Sequence, residues 1–418
     1  MKRRLLLGSA IMAVMAAPAI AAEPQEVVET YADIALATYQ DSLETAKELR
    51  TAINALVETP SEETMAAARE AWLASRVPYQ QTEAFRFGNA IVDEWEGKVN
   101  AWPLDEGLID YVDASYGTES DANEFYTVNV IANDKVSAGG TDIDVTEITT
   151  EVIASLHEVG GIEANVATGY HAIEFLLWGQ DLNGTDAGAG TRAYTDFDTE
   201  NCTGGNCERR AQYLQAAADL LITDLEEMVA NWETEGEARA EVMADPQAGL
   251  TAMLTGLGSL SYGELAGERM KLGLLLNDPE EEHDCFSDNT HNSHYYDVVG
   301  IRNVYFGAYE RVDGSTVEGP SLADLVSEKD TALADEVKAK LDTTLEAMAV
   351  MKARAEGGEA YDQMIGQGNE EGNAVVQAAI DGLVDQTRSL ERVIVALDLS
   401  GIELEGSDSL DNPEAVFE

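Results

Sequence analysis

Basic residues are scarce in this sequence: 25 lysines and arginines stand against 79 aspartates and glutamates, for a formal net charge of −54. That field excludes nucleic acid as a partner, because phosphate backbones are bound by cationic patches. Cysteine is nearly missing, with three residues and none before Cys202, so no lipid-attachment cysteine stands near the N-terminus. A haem-attachment Cys-x-x-Cys-His, a phosphate loop, a dinucleotide fingerprint and a nucleophile elbow are all absent. Long apolar runs are lacking too. The one at residues 5–17 is too short for a permanent bilayer anchor, so the mature chain is expected to carry no transmembrane segment.

What stands at the N-terminus is a basic start (Lys2, Arg3, Arg4), that apolar run, and Ala19-Ile20-Ala21 as a small-x-small cleavage site. This pattern reads as a secretory signal peptide over residues 1–22, hence a periplasmic protein. The Arg3-Arg4 pair leaves both the general and the twin-arginine route open. The acidic surplus reads as a solvated surface suited to a salty habitat. It draws cations toward any real site, but the carboxylate count alone points to no particular ion.

The mature chain is too long for one ordinary core. Apolar residues recur at helical spacing over about 25–58, from Thr59-Pro60-Ser61-Glu62 (a capping box with proline at the first helical position) to about 87, and over about 207–232, 247–276, 291–309, 322–355 with a break, and 370–397. Pro78 is expected to kink the second helix. Periodicity fades over about 88–150, which reads as a loop-rich insertion. The expected fold is therefore all-α: two tandem four-helix-bundle-like domains, 23–240 and 241–418, with a cleft between or beside them.

The first bundle carries the most informative stretch, Gly169-Tyr170-His171-Ala172-Ile173-Glu174 followed by Phe175-Leu176-Leu177-Trp178-Gly179. Positions i and i+3 share a helix face, so His171 and Glu174 can converge on one cation. The plainer alternative is a core histidine hydrogen-bonded to Glu174. The apolar surroundings favour a metal, since few charged groups are buried without a partner. Neither zinc-protease helix signature is complete. His157-Glu158 has Gly161 where a second histidine would stand, and Glu174 is followed by Phe175.

A second histidine group, His283, His291 and His294, holds three of the five histidines in the chain. It reads either as a secondary metal site or as a loop and helix start capped by Asp288-Asn289-Thr290. Cys202 and Cys207 flank Gly204-Gly205, and an exported chain favours a disulfide there. Ser259-Leu260-Ser261-Tyr262-Gly263-Glu264 reads as small residues that let helices approach closely.

The Gly-x-His-x-x-Glu stretch with its Trp-Gly and Asp resembles the hallmark of the imelysin family, bacterial periplasmic or outer-membrane proteins first described as peptidases and linked to iron acquisition. Residues 76–88 (RVPYQQTEAFRFG), 102–107 (WPLDEG), 267–270 (GERM) and 281–291 (EEHDCFSDNTH) extend the likeness over most of the mature chain. With it, the expected metal ligands are His171, Glu174, Glu83 and Asp105, with Arg76 and Arg269 orienting the carboxylates. Iron or zinc suits that set, as a free ion or a small chelate, and a membrane-associated uptake system is an expected partner. A metal-binding protein comes first, a zinc metallopeptidase second, a helical scaffold third.

Overall fold

The computed structural model describes residues 22–138 and 140–417. The expected signal peptide lies outside the described residues except for Ala22. Its regular structure is helical apart from two small antiparallel hairpins.

Helix α1 (Pro24–Glu58) buries Val28, Tyr31, Ala35, Tyr39, Ala46, Leu49, Ile53 and Leu56, the three-to-four stripe of a bundle helix. Helix α2 (Glu62–Gln80) is capped by Ser61, whose hydroxyl accepts from the Thr64 N–H while Thr64 Oγ1 accepts from the Ser61 N–H. Pro60 thus stands just outside the helix, not at its first position. Pro78 sits two residues before the end of α2, where the chain tightens into a 3₁₀ turn at Gln81–Phe85.

Within the stretch expected to be loops, α3 (Ala90–Asn100) and the hairpin β1 (Lys135–Ala138)–β2 (Thr141–Asp144) form. Asn89 caps α3 by accepting from the Ile91 N–H, and Trp95 anchors it by donating to the Asp224 carbonyl. Next come α4 (Thr150–Leu156), α5 (Gly169–Trp178) and α6 (Cys207–Trp232). Cys202 is bonded to Cys207 at the head of α6.

The second half holds α7 (Glu237–Met243), α8 (Pro246–Ser259), a π-helical stretch (Leu260–Lys271) running into α9 (Leu272–Leu276), and α10 (Thr290–Phe306). The hairpin β3 (Ala308–Glu310)–β4 (Thr316–Glu318) leads to α11 (Leu322–Lys329) and α12 (Thr331–Glu356). The break between those two helices falls at Asp330, which caps α12. The short α13 (Tyr361–Ile365), the long α14 (Glu370–Ala396) and the terminal α15 (Asp408–Asp411) complete the chain. Helices α1, α2 and α6 pack together, α12 packs on α14, and α10 lies against both α2 and α12. The buried apolar residues of the two halves form one contiguous core. No described helix is long and apolar enough to cross a membrane.

Candidate metal centre

Every residue of α5 is buried, so His171 and Glu174 have to be satisfied by protein groups or by an ion. The helix starts at Gly169, whose φ of +79° is one that side chains rarely adopt, and a Cβ there would stand 2.3 Å from the Val99 carbonyl oxygen. The glycine of the motif is therefore a requirement of backbone geometry. The Trp72 indole fixes the next turn by donating to the Tyr170 carbonyl at 3.0 Å.

His171 Nδ1 lies 3.1 Å from Glu174 Oε2. The other Glu174 oxygen accepts from the Ser287 N–H (3.0 Å) and hydroxyl (2.7 Å). His171 Nε2 is buried without a partner, as is His283 Nδ1. The two imidazole rings stand 5.1 Å apart, edge to face, under the Trp102 ring. Asp284 completes the group: a nitrogen of each histidine and an Asp284 oxygen lie within 4.8 Å of one another. Asp284 takes the Arg76 guanidinium through Nη2 at 2.8 Å and Nε at 3.4 Å, and its Oδ2 also accepts from Asn289 and Ser293. Arg76 is buried among Tyr170, Tyr79 and Trp72 and donates to Asn100.

Burial sets the protonation states. It drives the His171 pKa down to about 3, with Arg76 adding to the effect. His283 is lowered for the same first reason, with Arg269 next. Both rings are thus neutral and keep a lone pair for a cation. Burial would raise Asp284, but Arg76 first, and then the hydrogen bonds from Ser293 and Asn289, hold it below its ordinary value, so it is an anion. Glu174 is pushed well up by burial and then by the Asp284 charge, against the Ser287 hydrogen bonds. Such a group holds a proton until a positive charge arrives.

The remaining expected residues are placed as follows. Glu83 accepts from Arg269 Nη2 at 2.6 Å, and the same guanidinium reaches Glu264 and Asp297. Asp105 accepts from Asn123 and lines a cleft with Glu106, Asp181 and Glu280. The His291 ring is engaged by Asn292, and His294 packs on Tyr361. None of these four belongs to the converging donor group. Of the three downstream histidines only His283 joins His171, and it does so with Asp284, a residue that sequence reasoning did not select. The signal was the adjacent His-Asp pair itself. Access is through a cleft of about 350 Å³ lined by Trp102, Arg269, Glu268, Glu281 and His283.

The geometry defines a class: an all-helical protein that buries two histidines, an arginine-held aspartate and a proton-holding glutamate at one point of its core. The chain belongs to the imelysin family, whose model matches residues 35–390. Two solved structures share the fold. A candidate iron-regulated protein A precursor from Parabacteroides distasonis is 19% identical with a TM-score of 0.63, over 89% of this chain and 94% of that one. An imelysin-like protein from Psychrobacter arcticum is 15% identical with a TM-score of 0.61, over 91% and 99%. Iron-regulated protein A of Synechococcus elongatus is 33% identical over 85 residues, which span 20% of this chain and 22% of that relative.

Proposed function

We propose that this protein is exported to the periplasm, binds iron there as an ion or small chelate, and hands it to a membrane-associated uptake system. The observation that carries the reading is a pair of buried, neutral imidazoles, each with one ring nitrogen left without a partner, beside an anionic carboxylate. Buried polar atoms without partners cost free energy, and a cation accepted by His171, His283 and Asp284 removes that cost. Two histidines and one carboxylate suit ferrous iron first and zinc second. In this reading Glu174 orients His171 and does not itself ligate, while Arg76 does the same for Asp284. Family membership and the iron-regulated name of the relative support an iron-related role. Export rests on the N-terminal pattern and agrees with the Cys202–Cys207 bond.

Metal analysis of protein purified without added metal tests the proposal. We expect about one iron or zinc per chain, lost in both His171→Ala and His283→Ala. Glu174→Gln should weaken binding by about 10- to 100-fold without abolishing it. Loading should also release protons, since a cation beside Glu174 lowers its pKa. Equal metal content in wild type and both histidine variants would remove the basis of the reading.

A further inference from the structure

A second group of converging donors involves neither of these histidines. Asp181 stands just beyond the C-terminal end of α5, Asp288 directly follows Ser287, and Asp362 lies in α13. One carboxylate oxygen of each lies within 4.8 Å of the other two. Asp362 is fully buried, and neither of its oxygens has a well-formed hydrogen bond, only the N–H groups of its own turn standing near. Asp181 Oδ2 and Asp288 Oδ1 are equally unsatisfied, although Asn183 holds the other Asp181 oxygen. Among the described residues, no lysine or arginine pairs with any of the three. The buried Glu282 carboxyl lies close by, and burial, then the Asp362 and Asp288 charges, push its pKa well up.

Carboxylates in this arrangement repel, and burial worsens the cost: burial, then Asp362 and Asp181, push Asp288 up to about 7. Arginines neutralise the Glu83 and Asp284 sites elsewhere in this chain, and nothing of the kind is supplied here. All converging donors are oxygens, with no imidazole or thiolate, which selects a hard cation. Two oxygens on one calcium, each at about 2.4 Å, can stand up to about 4.8 Å apart, whereas magnesium at about 2.1 Å draws them closer. A cleft of about 550 Å³, lined by Asp105, Glu106, Asp181 and Glu280, gives access from solvent.

We infer that Asp181, Asp288 and Asp362 form a site for a hard divalent cation of the calcium class, separate from the histidine centre. An ion there ties the segments after α5 and around residue 288 to α13. It thereby steadies Ser287, which holds Glu174 in place.

The test uses the full mature chain stripped with EGTA, in salt high enough to screen calcium from the acidic surface. Millimolar calcium should raise the Tm by several degrees in wild type and equally in His171→Ala, which keeps this site distinct from the proposed iron centre. Asp288→Asn and Asp362→Asn should lose that gain, yet melt at or above wild type in EGTA because a repelling charge has gone. Calorimetric titration of wild type should find one calcium per chain, absent in Asp288→Asn, which serves alone if Asp362→Asn does not fold. No response of the wild type to calcium, or a full response in both asparagine variants, overturns the inference.

Discussion

His171 and His294 are both buried and neutral for the same physical reason, yet only one has donors converging on it. Burial and then Arg269 lower the His294 pKa to about 3. Both its ring nitrogens lack partners, and the ring stands edge-on to Tyr361 at 5.1 Å. A histidine whose folded pKa lies below its unfolded value contributes stability above the unfolded value, and that stability is lost as pH falls toward the folded one. His294→Phe gives up only a weak contact with the Arg269 backbone and keeps the aromatic contact. It should therefore leave stability at pH 7 unchanged or raised, and flatten its decline between about pH 6.5 and 3 by up to about 1.4 kcal/mol per pH unit. Urea unfolding at several pH values measures the slope, and an unchanged slope refutes the assignment. The His171–Glu174 pair was legible in the sequence because both residues sit on one helix face three positions apart. The His171–His283 pair was not, because no local pattern reports a contact across more than a hundred residues. Glu83 was chosen for its chemistry and its block, but in the fold a nearby arginine takes its charge.

At the scale of elements, apolar periodicity fixed the long helices to within a few residues: α1, α6 and α14 differ from expectation by at most one position at either end. It failed over 88–150, where α3 buries a short stripe of Val92, Trp95 and Val99 on only about three turns, too brief to stand out from the loops around it. It could not show that the helix after α8 is π-wound through Leu260–Lys271, the stretch that delivers Arg269 to Glu83 and Asp297. Its small residues do serve close approach: a Cβ on Gly267 would stand 2.3 Å from Ser407 Cβ. The motif glycine yields a prediction at this scale. Gly169→Ala meets both a positive φ and the Val99 carbonyl, so it should cost at least about 2 kcal/mol and reduce metal content by displacing the start of α5. Gly161→Ala is the control. Its φ is +71° but nothing lies within 4 Å of the added carbon, so only the backbone term of about 1 kcal/mol should appear, with metal content intact. Denaturant midpoints and metal analysis of the two variants separate steric from conformational cost, and equal effects would mean the Val99 contact does not matter.

For the whole molecule, one contiguous core encloses the histidine centre, and a cleft lined by Trp102 and His283 reaches it. A metallopeptidase needs a metal position open to water, a free general base, and a groove that admits an extended chain. The donor set alone does not separate the two functions, because two histidines and a carboxylate also hold catalytic zinc. The surroundings favour the proposed carrier reading. Glu174 is the carboxylate nearest His171, and it is already bonded to that ring and twice to Ser287. Asp284 is held by Arg76, Asn289 and Ser293. His171, Glu174 and Asp284 have no solvent-exposed surface, and the cleft that reaches His283 has a volume nearer that of a small chelate than of a polypeptide segment. In the proposed carrier reading, such a buried site exchanges a small ion through local opening and offers no groove for an extended chain. Protein loaded with iron or zinc should therefore leave an unfolded substrate such as casein uncut over hours, and Glu174→Gln should behave identically in that assay while binding metal more weakly. Cleavage by the loaded wild type that Glu174→Gln abolishes would make Glu174 a general base and establish the peptidase reading in place of the carrier.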